Sequence, residues 1–63
     1  MMSFLGMFAN ERERRLAQEE ATYAIGDHGD NAATVLLMKA QQTRSVERRT
    51  IYRLARKIVQ GAA

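Results

Sequence analysis

The sequence predicts an all-α fold: a small bundle of three helices, at about 11–25, 32–41 and 46–60, preceded by an apolar N-terminal segment. Good helix formers (Ala, Leu, Met, Glu, Gln, Arg and Lys) dominate it, and β-branched residues are few. No run alternates apolar and polar residues with a period of two, so no strand is indicated. Two short clusters of turn-forming or polar residues divide the chain into three stretches.

The first helix has a legible start. Asn10 is a good N-cap, Glu13 follows at capping-box spacing, and Glu11 places negative charge where the helix dipole favours it. Leu16, Ala17, Ala21, Ala24 and Ile25, flanked by Tyr23, form the expected inward stripe at spacings of three and four. An alternative start at Ser3 would carry the helix through Phe4, Gly6 and Phe8. The run Gly26-Asp27-His28-Gly29-Asp30-Asn31 then ends the first helix, with Asp30 or Asn31 as N-cap of the second.

The second helix, about Ala32 to Gln41, is apolar in nearly all directions through Ala32, Ala33, Val35, Leu36, Leu37, Met38 and Ala40. Such a helix is expected to be buried on several sides, which places it at the centre of the bundle or partly against another subunit. Thr43 or Ser45 can cap the third helix, expected from about Val46 to Gln60 and stopping at Gly61. Its inward residues are Ile51, Leu54, Ala55 and Ile58, with Tyr52 and Val59 at the margin and Arg49, Arg53, Arg56 and Lys57 outside.

A chain of 63 residues makes one domain with a thin core. Of its 29 apolar residues ten are alanines, which leaves 19 side chains of core-filling size. Ordering costs on the order of 1.5 kcal/mol per residue, so a chain of this kind needs help from outside its own core. With no cysteine and one histidine, neither disulfides nor a structural zinc site supplies it. Association with a second copy or a protein partner is the remaining route.

The charges are unevenly distributed. Residues 1–31 carry six acids against three bases, a balance of −3, whereas residues 32–63 carry seven bases against Glu47 alone, a balance of +6. Arg44, Arg48, Arg49, Arg53, Arg56 and Lys57 lie within fourteen positions, a block that suits nucleic acid, acidic lipid or an acidic protein. A plainer account is a solvated helix face partly neutralised by the acidic first half, with Arg56 and Lys57 favoured near a helix C-terminus by the dipole.

Thr43-Arg44-Ser45-Val46-Glu47-Arg48-Arg49-Thr50-Ile51-Tyr52-Arg53-Leu54 resembles the recognition-helix region of helix-turn-helix DNA-binding proteins. The resemblance implies a small nucleic-acid-binding regulator using the six bases. Aligning Ile51 and Leu54 as the core anchors puts Ser45 where such proteins usually have a turn glycine, and Gln41 where they have a small residue.

Met1, Met2, Phe4, Leu5, Met7 and Phe8 concentrate six large apolar side chains in the first eight positions. Exposed together they would be costly, so they are expected to close the base of the bundle or to dock on another molecule, with Met1, Phe4, Leu5 and Phe8 as partner-binding residues. Insertion into a membrane surface is disfavoured by Glu11 and Glu13. No run reaches the roughly 20 apolar residues of a membrane span, and the first ten lack the basic start of a secretory leader, so a cytoplasmic protein is expected.

Enzymatic chemistry is not indicated. His28 lies between Asp27 and Asp30 but has no second histidine to join it on a metal, and turn hydrogen bonding is its expected role. Glu19 and Glu20 are adjacent rather than facing, and no serine or threonine has an evident base and orienting partner. Gly26-Asp27-His28-Gly29 lacks the lysine and the preceding strand of a phosphate loop. Catalytic residues, metal, cofactor and small-molecule substrate are therefore all expected to be absent. Tyr23-Ala24-Ile25 through His28-Gly29-Asp30, with the helices that follow, resembles small helical bacterial proteins, which implies a setting and no activity. The leading expectation is a helical interaction protein, self-associating or an accessory subunit; the alternative is the nucleic-acid-binding regulator.

Overall fold

The computed structural model describes residues 10–62, in which three α-helices pack as a small all-α bundle. Helix α1 spans Glu11–His28, a 3-10 turn spans Gly29–Asn31, α2 spans Ala32–Gln42 and α3 spans Val46–Ala62. No strand occurs among the described residues.

Asn10 caps α1 with a complete capping box: its side chain accepts from the Glu13 N–H at 2.8 Å, and its own N–H donates to the Glu13 carboxylate at 3.2 Å. Asn10 is extended, with φ −81° and ψ 175°, so α1 begins at Glu11; the alternative start at Ser3 lies outside the described residues. The other end differs from expectation. Gly26 keeps a right-handed helical conformation, and α1 runs three residues past Ile25 before Gly29, at φ 55° and ψ −122°, turns the chain. The Gly29 N–H still reaches the Ile25 carbonyl, which closes the last turn.

The expected loop is thus compressed into one 3-10 turn. Asn31 stands at the N-cap of α2 by position, yet neither it nor His28 makes a side-chain cap bond. The chain enters α2 straight from the turn, where the Ala32 N–H donates to the Gly29 carbonyl, so side chains have less to satisfy. Ser45 caps α3, accepting the Arg48 N–H at 3.1 Å, while the Thr43 hydroxyl accepts the Ser45 N–H at 3.2 Å. Helix α3 passes through Gly61, two residues beyond the expected stop at Gln60, because that glycine too stays right-handed.

The central helix is α3, not α2. Contacts of α3 with α1 and with α2 are equally extensive, and both exceed those between α1 and α2. Length and pattern account for this: α3 has 17 residues to the 11 of α2. Its apolar arc is wide, with Ile51 and Ala55 buried in the middle and Leu54, Ile58, Tyr52 and Val59 packed at the edges. In α2 only Ala32, Leu36 and Ala40 are buried, at spacings of four along one side, and Met38 is about half exposed at 49%. Apolar residues all round did not produce burial all round.

Six of the eight buried residues described are alanines (17, 21, 24, 32, 40 and 55), joined by Leu36 and Ile51. Alanine facing alanine lets helix axes approach towards the short end of the usual 8–10 Å range. It also leaves Leu36 as the largest fully buried side chain described. Ile25 and Tyr23, expected in or beside the inward stripe of α1, are instead 44% and 67% exposed, since the buried ridge is Ala17, Ala21 and Ala24.

Candidate binding surfaces

The partner-binding residues expected from the sequence, Met1, Phe4, Leu5 and Phe8, lie outside the described residues. Asn10, the first described residue, precedes α1, and a shallow cleft of about 170 Å³ lies between the start of α1 and the first turns of α3. Leu16, Ile51 and Tyr52 supply its apolar walls, and Arg12, Glu20, Glu47 and Arg48 its polar rim. Arg12 and Glu47 form an ion pair across that rim, at side-chain exposures of 64% and 43%.

The six bases of the second half play different parts. Arg44 in the turn, Arg48 in the first turn of α3, and Arg53 and Lys57 further along are exposed. Arg56 and Arg49 are partly buried, and the Arg49 guanidinium donates to the Thr43 carbonyl at 3.1 Å. Arg49 therefore holds the end of α2 to the start of α3, a structural task that the sequence reading did not foresee. Lys39 of α2 sits 5.8 Å from the centre of the Tyr52 ring on α3, a second cationic link between the same helices. Neither had a sequence signal: Arg49 reaches back six positions to the turn, and Lys39 and Tyr52 stand 13 positions apart on different helices.

No ion pair within 4 Å joins the bases of α3 to the acids of α1 among the described residues, apart from the separate Arg12–Glu47 contact. Helix α2 contains no acid, and the single acid of α3, Glu47, is engaged by α1. Neutralisation of the basic face by the acidic first half, the plainer account of these charges, has no ion pair behind it.

The α2–α3 connection is three residues long, Thr43 to Ser45, as in a helix-turn-helix. Its backbone contains no positive φ, and Ser45 is used as an N-cap rather than as a left-handed turn residue. Ala40 is the buried small residue near the end of α2, while Gln41 is exposed. Of the two proposed anchors Ile51 is buried and Leu54 partly so.

His28 is exposed at the end of α1 and makes no side-chain cap bond, contrary to the turn-bonding role expected for it. No three histidine, aspartate or glutamate side chains come together as a metal site among the described residues. Among the same residues no polar or charged side chain is buried. What the surface offers is contact chemistry: a cationic face on α3, and large apolar side chains at Tyr23, Ile25, Met38 and Val46 exposed on three helices. No described helix is long and apolar enough to cross a membrane. Comparison of the chain with protein-family models, curated proteins and solved structures found no match.

Proposed function

We propose that this chain is a non-enzymatic helical interaction protein, acting in the cytoplasm, that associates with itself or with a larger protein through its N-terminal apolar residues and the adjoining helix surface. The observation that carries the reading is the composition of the core among the described residues, six alanines with Leu36 and Ile51. Burial stabilises by about 0.8 kcal/mol per methylene, so alanines contribute little against an ordering cost of roughly 1.5 kcal/mol per residue. Six of the 19 larger apolar side chains lie in the first eight positions, where methionine and phenylalanine suit an adaptable contact. The cleft walled by Leu16, Ile51 and Tyr52 lies between the start of α1, which that segment precedes in sequence, and the first turns of α3.

Sedimentation velocity over the micromolar range tests the self-associating form. The full chain is expected to sediment faster as its concentration rises, and a chain lacking residues 1–8 to remain a monomer. A monomer at every concentration, whose stability is unchanged by removing those residues, overturns the reading.

A further inference from the structure

The chemistry of the basic face of α3 points to a ligand different from the protein partner just proposed. We propose that this face binds the phosphate backbone of duplex nucleic acid without reading its sequence. Exposed Arg53 and Lys57 continue, at intervals of four residues, the row begun by partly buried Arg49, whose guanidinium donates to the Thr43 carbonyl; each step is about 6 Å along a helix and the row spans about 12 Å. Arg56 borders this row. Residues four apart on a helix are neighbours, so these cations repel one another and no acid stands among them to relieve it. Glu47, the single acid in residues 32–63, is drawn to Arg12 on the α1 side. A rigid ladder of cations with no internal counter-charge matches a stiff polyanion with evenly repeated charge, and binding would release that polymer's counterions.

Two other anionic ligands fit less well. Membrane binding by an amphipathic helix uses an apolar face next to the charges, but here Ile51, Ala55, Leu54 and Ile58 are committed to the bundle core. Single-stranded nucleic acid is held by stacking its bases on aromatic side chains. Tyr52 is partly buried beside Lys39, and Tyr23 belongs to α1, so among the described residues the basic face has no free aromatic platform. A backbone that presents phosphates with its bases already stacked is the better match.

Fluorescence anisotropy with a labelled mixed-sequence DNA duplex of about 20 base pairs tests this. With three to four phosphate contacts, affinity should fall roughly 100-fold between about 50 and 200 mM salt, a log-log slope of about −3 to −4. The same-length single strand should bind more weakly. Arg53→Glu/Lys57→Glu should weaken duplex binding and reduce the slope by about two, and the neutral pair Arg53→Gln/Lys57→Gln should do so to a lesser extent. Arg14→Glu/Arg15→Glu makes the same charge change at exposed sites on α1 and should leave binding within about threefold, with circular dichroism confirming helix content in each variant. Equal weakening by the α1 pair would assign the binding to net charge and overturn the proposal. So would single strands bound as tightly as duplex, or phosphatidylserine vesicles bound in preference to it.

Discussion

Arg12 in the first turn of α1 is ion-paired with Glu47 in the first turn of α3, 35 positions away in sequence. Both side chains are substantially exposed, at 64% and 43%, so the pair adds little stability and is weakened by salt. Glu47 stands six and ten positions before Arg53 and Lys57, so its helical neighbours are Thr50 and Ile51, and those two cations have no acid within one turn of α3. A double-mutant cycle on Arg12→Ala and Glu47→Ala should give a coupling of about 0.2–1 kcal/mol in urea unfolding, smaller at high salt. A coupling insensitive to salt would contradict an exposed pair.

The two glycines flanking the end of α1 should respond to alanine in opposite directions. Gly26 is helical with open space around it, so Gly26→Ala should stabilise by roughly 0.5–1 kcal/mol. Gly29, at φ 55°, occupies a conformation that side chains rarely adopt, and Gly29→Ala should cost on the order of 1–3 kcal/mol. Urea midpoints of the two variants compare them directly, and equal effects would place the turn elsewhere.

Ser45 satisfies the Arg48 N–H at the start of the central helix. Ser45→Ala should destabilise by about 1 kcal/mol, whereas Ser45→Gly should cost only a few tenths. Thermal unfolding by circular dichroism at 222 nm reads the difference. A Ser45→Ala variant as stable as the parent would mean that α3 does not depend on this cap.

Leu36 is the largest fully buried side chain described, and Leu36→Ala should cost on the order of 2–5 kcal/mol, enough to unfold a domain of this size. Ala55 is also fully buried, where α3 meets its neighbours, and Ala55→Leu should destabilise by about 1–3 kcal/mol through overpacking. A stabilised Ala55→Leu would show that the alanine core leaves usable space, against the close packing described above.

The features legible in the sequence were those determined within one turn of helix. Asn10 with Glu13, a hydroxyl cap at Thr43 or Ser45 ahead of α3, and the stripe of Ile51, Ala55 and Ile58 each carry their geometry in their spacing, although the choice of Ser45 came from the structure. Which of Gly26 and Gly29 would end α1 was not legible, because either can stay helical and the choice rests on where the chain must turn for α2 to pack. The central position was misassigned to α2 for a related reason. Apolar composition around a helix says how much it could bury, but helix length and the neighbours' shapes decide which sides are covered. Of the candidate surfaces, the basic residues were all legible, yet the role of Arg49 at the Thr43 carbonyl was not, since it depends on the exact path of the turn. Ile25 read as core, with Tyr23 at its flank, because alanine's small size hides how narrow the buried ridge of α1 is.

The association account is tested most directly by the urea midpoint of the full chain over a hundredfold range of protein concentration, alongside the chain lacking residues 1–8. Partner binding stabilises the folded state by mass action, so the full-chain midpoint is expected to rise with concentration, while the shortened chain is less stable and shows no such dependence. Midpoints that coincide for the two chains and do not change with concentration would contradict it.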